Sequence, residues 1–181
     1  MKEKERLVKP AVELKEEYLD FYLEWKTSGE DMTPRVIKKD PTHFDEMIQS
    51  LHDAEKGENL PAGWVPVSTY WLLIDNNRIA GVVNIRHSLT ENLLNIGGHI
   101  GYGIRPSERR KGYATKLLSL TLEKTKELGI KKSLVVCDKW NEGSKRTIIN
   151  NGGIPDRDFI EEDGNVILRF WIDTEGNDDN K

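Results

Sequence analysis

At Pro106 the apolar pattern of this chain changes period, and that change limits the folds open to it. Upstream, residues 67–75 (VSTYWLLID) and 78–89 (RIAGVVNIRHSL) are β-branched and aromatic runs joined by Asn76-Asn77, the signature of an antiparallel hairpin. Asn92 to Asn95 reads as a second turn. A third strand is expected from about Ile96 to Arg105, where Pro106, lacking an N–H, ends the ladder. Downstream, Ala114, Leu117, Leu118, Leu122 and Leu128 fall on one helical face over residues 112–128, and Gly129 stops the helix. A short apolar strand follows in KKSLVVCD, residues 131–138. Strand, helix, strand over 96–137 calls for a crossover, and the right-handed parallel form is favoured. Ligands of such sheets gather at the carboxyl ends of strands, which directs attention to the loop after Arg105.

The N-terminal part, about 11–56, reads as two amphipathic helices. Leu14, Tyr18, Phe21, Tyr22 and Trp25 form the stripe of the first, with Gly29 as its stop. Phe44, Met47, Ile48 and Leu51 form that of the second, which Asp40-Pro41-Thr42 opens at about Thr42. Residues 57–66 read as a loop, 141–151 as a helix and 159–172 as a final hairpin through Asp163-Gly164. The expectation is one α+β (mixed α/β) domain over 1–181, a twisted and mostly antiparallel sheet with flanking helices, followed by an acidic, frayed tail at about 173–181. A chain of 181 residues buries a sizeable core without disulfides or metals, and its lone cysteine, Cys137, suits a reducing, cytoplasmic setting. The net charge of −4 counts against a nucleic-acid partner, no apolar run is long enough for a membrane, and the four histidines lack metal-ligand spacing.

The most informative segment is GGHIGYGIRPSERRKGYATKLL, residues 97–118. A glycine-rich strand runs into the basic loop Arg109-Arg110-Lys111-Gly112 and then straight into a helix. The first N–H groups of a helix have no helical acceptor and lie at the positive end of its dipole, so a diphosphate fits there, and Gly112 permits close approach. Read alone, such a cluster is more often an exposed basic turn than a site, because exposed charges usually face water. Gly101-Tyr102-Gly103 begins like GxGxxG, but Pro106 stands at the third glycine, and no GxxxxGK(S/T) occurs.

The run Arg109-x-x-Gly112-x-Ala114, after the strand end Ile104-x-Pro106, resembles motif A of the GNAT acetyltransferases, and the longer string is similar to a bacterial subgroup of predicted acetyltransferases. Asn141-x-x-Ser144 and the turn Asn150-Asn151-Gly152-Gly153 resemble that family's motif B. The resemblance covers about residues 70–172. It implies acetyl-CoA as cosubstrate, no metal, and a parallel strand pair splayed where the cofactor enters. By position, the backbone from Arg110 to Thr115 (Arg110, Lys111, Gly112, Tyr113, Ala114, Thr115), with Arg109 before it, would wrap the pyrophosphate. The edge Tyr102, Gly103, Ile104 would pair with the pantetheine arm, and the Ile104 N–H would polarise the thioester carbonyl. Asn141 and Ser144 would face the pantetheine and sulfur, Asn141 being equally a helix N-cap.

Two departures stand out. Where many members place a catalytic glutamate this chain has Gly98, leaving the adjacent His99 as the nearest titratable candidate for taking the amine proton, provided a bulge turns it inward. Where members place a tyrosine that protonates the thiolate, the chain has Ile148, so either Ser144 or a water substitutes, or the thiolate leaves unassisted, a thiol being far more acidic than an alcohol. Arg86 is read as an anion grip or an ordinary ion pair, and Trp64, Tyr70, Trp71 and Trp171 as core or acceptor-cleft aromatics. Cys137 is read as buried and inert. The implied activity is acetyl transfer to a primary amine of an unidentified acceptor. A non-catalytic acyl-CoA sensor is the alternative, a nucleic-acid contact at the basic loop is a distant third, and a homodimer remains open.

Overall fold

Eight strands make one sheet in the computed structural model, which describes residues 5–175. They are β1 (Arg6–Val8), β2 (Val67–Leu73), β3 (Ile79–Arg86), β4 (Ile100–Ile104), β5 (Lys132–Asp138), β6 (Ile154–Pro155), β7 (Phe159–Ile160) and β8 (Val166–Asp173). The spatial order is β1-β2-β3-β4-β5-β8-β6, with β7 also on β8. Every pairing is antiparallel except that of β4 with β5. The helices are α1 (Lys15–Ser28), α2 (Phe44–Lys56), α3 (Tyr113–Glu127) and α4 (Glu142–Asn150).

Alternation along each strand divides the core into two layers. Val83 and Ile85 of β3 share one cluster with Ile104, with Leu117 and Leu118 of α3, and with Ile148 of α4. Val82 belongs to the other, with Tyr18, Phe21 and Trp25 of α1, and Phe44, Met47 and Ile48 of α2. Trp71 of β2 stacks on Tyr18 with ring centroids 4.6 Å apart, so the aromatic stripe of α1 is packed directly on the sheet. This layer holds α1 and the chain after it over β4, which shapes one side of the site.

The expected helices and hairpins are present, with differences at their margins, among them the unexpected two-residue strand β6 on β8. The strand β1 pairs with β2 and carries no pattern in sequence, being three residues long. The third strand begins at Ile100 rather than Ile96, because Leu93–Gly97 coils into a π-helical turn. The first helix proper starts at Lys15 after a 3-10 turn at Val12–Leu14. The second starts at Phe44, and Asp40 accepts hydrogen bonds from the Thr42 N–H and hydroxyl ahead of it instead of capping the helix. Of the acidic tail, 176–181 lies outside the described residues, while Thr174 donates its hydroxyl to the Lys131 carbonyl at 2.8 Å.

Candidate functional site

The strands β4 and β5 are in register only at Ile100 and Val135. On its other side β4 keeps its ladder to β3 throughout, from Ile85↔Ile100 to Gly81↔Ile104. Beyond Ile100, then, one edge of β4 is paired and the other faces a gap. The Arg105 N–H donates to Ala80 on the β3 side. Main-chain groups alternate between neighbours along a strand, so the N–H groups of Tyr102 and Ile104 point into the gap. A cleft of about 820 Å³ opens there, bounded by β4, the β4–α3 loop and the start of α4.

The β4–α3 loop is shaped by local backbone conformation. Arg110 (φ 60°) and Gly112 (φ 84°) both adopt the left-handed region, which turns successive N–H groups toward one side. Gly112 precedes α3 without any side-chain cap, and the first intrahelical bond runs from the Lys116 N–H to the Gly112 carbonyl. The N–H groups of Tyr113, Ala114 and Thr115 therefore lack helical acceptors and present a positive helix end to the cleft. A Cβ on Gly112 would meet nothing within 4 Å, so the space over this turn is open.

Arg109 has a different task. Its Nε donates to the Ile104 carbonyl at 3.0 Å, its Nη1 pairs with Glu30, and its guanidinium lies 5.3 Å over the Trp25 ring. It thus ties the loop to the chain after α1. Lys111 bonds Glu108 at 2.9 Å and is not among the residues on the cleft wall. Behind the loop, Arg105 is almost wholly buried and pairs with Asp20 and Glu24 of α1, while Arg78 joins Asp20, Glu24 and Glu108. Burial alone would raise the Glu24 pKa, but hydrogen bonds from Arg105 and Ser107, with the Arg105 charge, hold it down at about 2.

The far wall comes from β5 and α4. Asn141 caps α4, its Oδ1 accepting from the Ser144 N–H at 3.1 Å. The Tyr102 hydroxyl reaches from β4 to the Ser144 hydroxyl, 2.7 Å away. Burial pushes the Tyr102 phenol up to about 12 and the Cys137 thiol up to about 11, against a hydrogen bond that each makes with Ser144. Ile148 is fully buried in the core.

At the closed end of the gap, Gly98 has φ 64°, and a Cβ there would stand 2.6 Å from the Leu134 carbonyl oxygen. Glycine is required because β5 passes too close for any side chain. His99 bridges the two strands: its N–H donates to the Leu134 carbonyl at 2.7 Å, and its Nδ1 accepts from the Leu134 N–H at 2.9 Å. Burial, and then the charge of Arg86, lower its pKa. Arg86 donates to the carbonyls of Gly97 and Gly98 at 3.0 and 3.2 Å, so it caps the π-helical turn and makes no ion pair among the described residues.

The cleft brings together Tyr102, Gly103, Ile104, Arg109, Arg110, Gly112, Tyr113, Ala114, Thr115, Asn141 and Ser144; Lys111 and His99 are not on its wall. Trp64, Tyr70, Trp71 and Trp171 are also elsewhere, and Cys137 is buried. The wall further includes Trp25, Glu30, Asp31, Thr33, Asp138, Trp140 and Thr147, which the sequence reading missed. Trp25 had a signal, but one that spoke only for helix packing. Residues 30–33 had none, since their place depends on how α1 lies across the sheet. No group of His, Cys, Asp and Glu among the described residues is arranged to hold a metal ion, and no helix among them is long and apolar enough to cross a membrane.

The fold is shared with solved acetyltransferases. A ribosomal-protein-S5-alanine acetyltransferase from Vibrio fischeri superposes with a TM-score of 0.69 at 14% identity, covering 97% of this chain and 96% of that one. The microcin C7 self-immunity acetyltransferase MccE, solved with acetyl-CoA and AMP, gives 0.66 at 16%, covering 94% and 93%. A spermidine N-acetyltransferase chimera of Vibrio cholerae SpeG and hSSAT gives 0.64 at 12%, covering 96% and 97%. No curated protein sequence matches the chain significantly. The acetyltransferase (GNAT) domain model matches residues 12–154, and the chain belongs to that family of acetyl-CoA-dependent acetyltransferases.

Proposed function

We propose that this acetyltransferase moves the acetyl group of acetyl-CoA onto a primary amine, by direct attack within a ternary complex. The observation that carries the reading is that the uncapped start of α3 and the unpaired edge of β4 open onto one cleft. Main-chain N–H groups from Arg110 to Thr115 suit the pyrophosphate, with Lys111 contributing backbone only. The edge from Tyr102 to Ile104 suits the amides of the pantetheine arm, with Asn141 and Ser144 facing it. An N–H at this edge polarises the thioester carbonyl. We assign this to Ile104, and Tyr102, two residues or about 6.8 Å nearer the closed end, presents its N–H to the same gap.

The amine nitrogen attacks the carbonyl carbon, the cationic nitrogen of the adduct gives a proton to water, the oxyanion collapses, and the C–S bond breaks with its electron pair on sulfur. An alkylamine of pKa about 10.4 must lose a proton first. Gly98 offers no carboxylate, and His99 spends Nδ1 on Leu134, so we assign the proton to water in the cleft. Fold relatives that act on spermidine and on a ribosomal-protein alanine support an amine as the acceptor class.

The test is calorimetry with acetyl-CoA, followed by thiol release across polyamines, amino acids and peptides with free N-termini. Saturable binding and steady release with at least one amine are expected; absence of binding at millimolar acetyl-CoA would overturn the reading. The blocked Gly98 and buried Ile148 favour one alternative, an acyl-CoA sensor, which would bind the cofactor yet release no thiol with any amine.

A further inference from the structure

Resting on the acetyl transfer proposed above, we infer that Arg86 selects an acceptor that carries a carboxylate beside its amine, the chemistry of a small amino acid. Arginine presents five N–H donors in a rigid fork. Arg86 spends those of Nη1 on the carbonyls of Gly97 and Gly98, at 3.0 and 3.2 Å. The edge formed by Nε and Nη2 has no acceptor among the described residues. That edge is one a carboxylate meets with two parallel hydrogen bonds.

Strand pairing sets the position. The Arg86 N–H donates to the His99 carbonyl at 2.7 Å, which places residue 86 beside the closed end of the gap. The side chain reaches along β4, so that Nη2 lies 3.7 Å from where a Cβ on Gly101 would stand. Gly101 precedes Tyr102, whose N–H faces the gap. Along the strand, this nitrogen is therefore about one residue, roughly 3.4 Å, from a candidate oxyanion donor. Pro34 Cβ is 3.4 Å from the same point and Thr33 covers Gly103. The chain after α1 thus closes over this face, and the room left suits a small occupant.

Two features mark a charge that lacks its partner. Burial lowers the Arg86 pKa, and no carboxylate acts against it. A desolvated cation is costly until it is paired. Asn84 shares this face of β3, and its Oδ1 is buried, has no hydrogen-bond partner and lies 2.7 Å from the same Gly101 point. An acceptor without a donor, beside a fork without an acceptor, complements a molecule that offers both N–H and carboxylate. The Arg86 charge also helps to lower the His99 pKa, so its field reaches the end of the gap. A polyamine would meet repulsion there and a carboxylate attraction. Arg86 binds and orients the acceptor, and bond making is left to the amine and the thioester.

The test compares each standard amino acid with its carboxamide, which lacks the carboxylate charge. Calorimetric titration into the complex with free CoA, which has no acetyl group to give, reads binding; thiol release with acetyl-CoA reads turnover. In the wild type at least one amino acid should exceed its carboxamide on the order of 100-fold in affinity and in kcat/KM, as when one member of a desolvated charge pair is removed. Arg86→Gln should bring that ratio close to one. Arg86→Lys keeps the charge but loses the fork, and should fall between. Because the ratio is taken within one protein, a merely structural role at the Gly97–Gly98 turn would lower both values together and leave it unchanged. Equal treatment of acids and amides by the wild type, a preference for polyamines, or an unchanged ratio in Arg86→Gln would overturn the inference. Binding of CoA and the acid without thiol release would overturn acetyl transfer while upholding Arg86 as the carboxylate site. Failure to bind CoA would overturn the cofactor site and this inference with it.

Discussion

The Thr33 carbonyl oxygen lies 1.9 Å from where a Cβ on Gly103 would stand, with the edge of the Trp25 ring 2.6 Å from the same point. The chain after α1 is thus laid flat on β4, and glycine at 103 is a condition of that contact. Gly103→Ala should force the 30–33 segment off the strand. Overpacking of this kind costs about 1–3 kcal/mol, or a fall of roughly 2–12 °C in melting temperature for a chain of this length. Differential scanning calorimetry checks it, and an unchanged melting temperature would contradict the packing described.

Gly112→Asp should leave the fold standing, because aspartate tolerates a positive φ and the site above it is open. A carboxylate among the free N–H groups of α3 would repel a diphosphate. CoA affinity should fall on the order of 100-fold, equivalent to about 2.7 kcal/mol, while the melting temperature stays within a few degrees. Calorimetric titration of CoA decides this, and unchanged affinity would remove the cofactor from this loop.

Glu24 gives a pH signature. Its folded pKa, about 2, is below the ordinary value of 4.5, so the folded state gains where the carboxyl is ionised. That stability is fully present above about pH 4.5 and is lost as pH falls toward 2. With the side chain about a quarter exposed, the contribution is roughly 2–3 kcal/mol. Urea unfolding of the wild type between pH 6 and pH 3 should show this loss. Glu24→Gln should be less stable at pH 6, since it removes one partner of the buried Arg105, and should lose less on acidification. Parallel pH slopes for the two proteins would contradict the assignment.

His99→Ala separates a strap from a base. The variant leaves the Leu134 N–H buried without its acceptor, a loss of about 1–3 kcal/mol. Burial and Arg86 depress the imidazole pKa, so its contribution holds above the usual histidine value and weakens as pH falls below it. With a strap, the pH–rate profile should keep its shape and kcat should change only a few-fold. A fall of about 100-fold or more, with loss of the acid limb, would make His99 the base instead.

How much was legible varied with the range of the interactions concerned. Phe44, Met47, Ile48 and Leu51 announced α2 because helical spacing is read within a dozen residues. The uncapped start of α3 after Gly112 was legible for a similar reason, because a helix end is local in the chain. Ile96 was misplaced in a strand because a π-helical turn and a strand start with the same apolar residues. Lys111 was placed in the loop by its position in the chain, and the bond between its ammonium and Glu108 was not legible there.

By itself the sequence determined the elements, the break at Pro106 and the uncapped start of α3, since each follows from side-chain periodicity, a missing N–H or backbone conformation within one turn. Only the tertiary structure decided that β4 and β5 part after Ile100, that Thr33 and Trp25 roof Gly103, and that Tyr102 meets Ser144. Those relationships join residues dozens of positions apart. They depend on strand register and on how helices settle against the sheet, and no short stretch of chain carries that information.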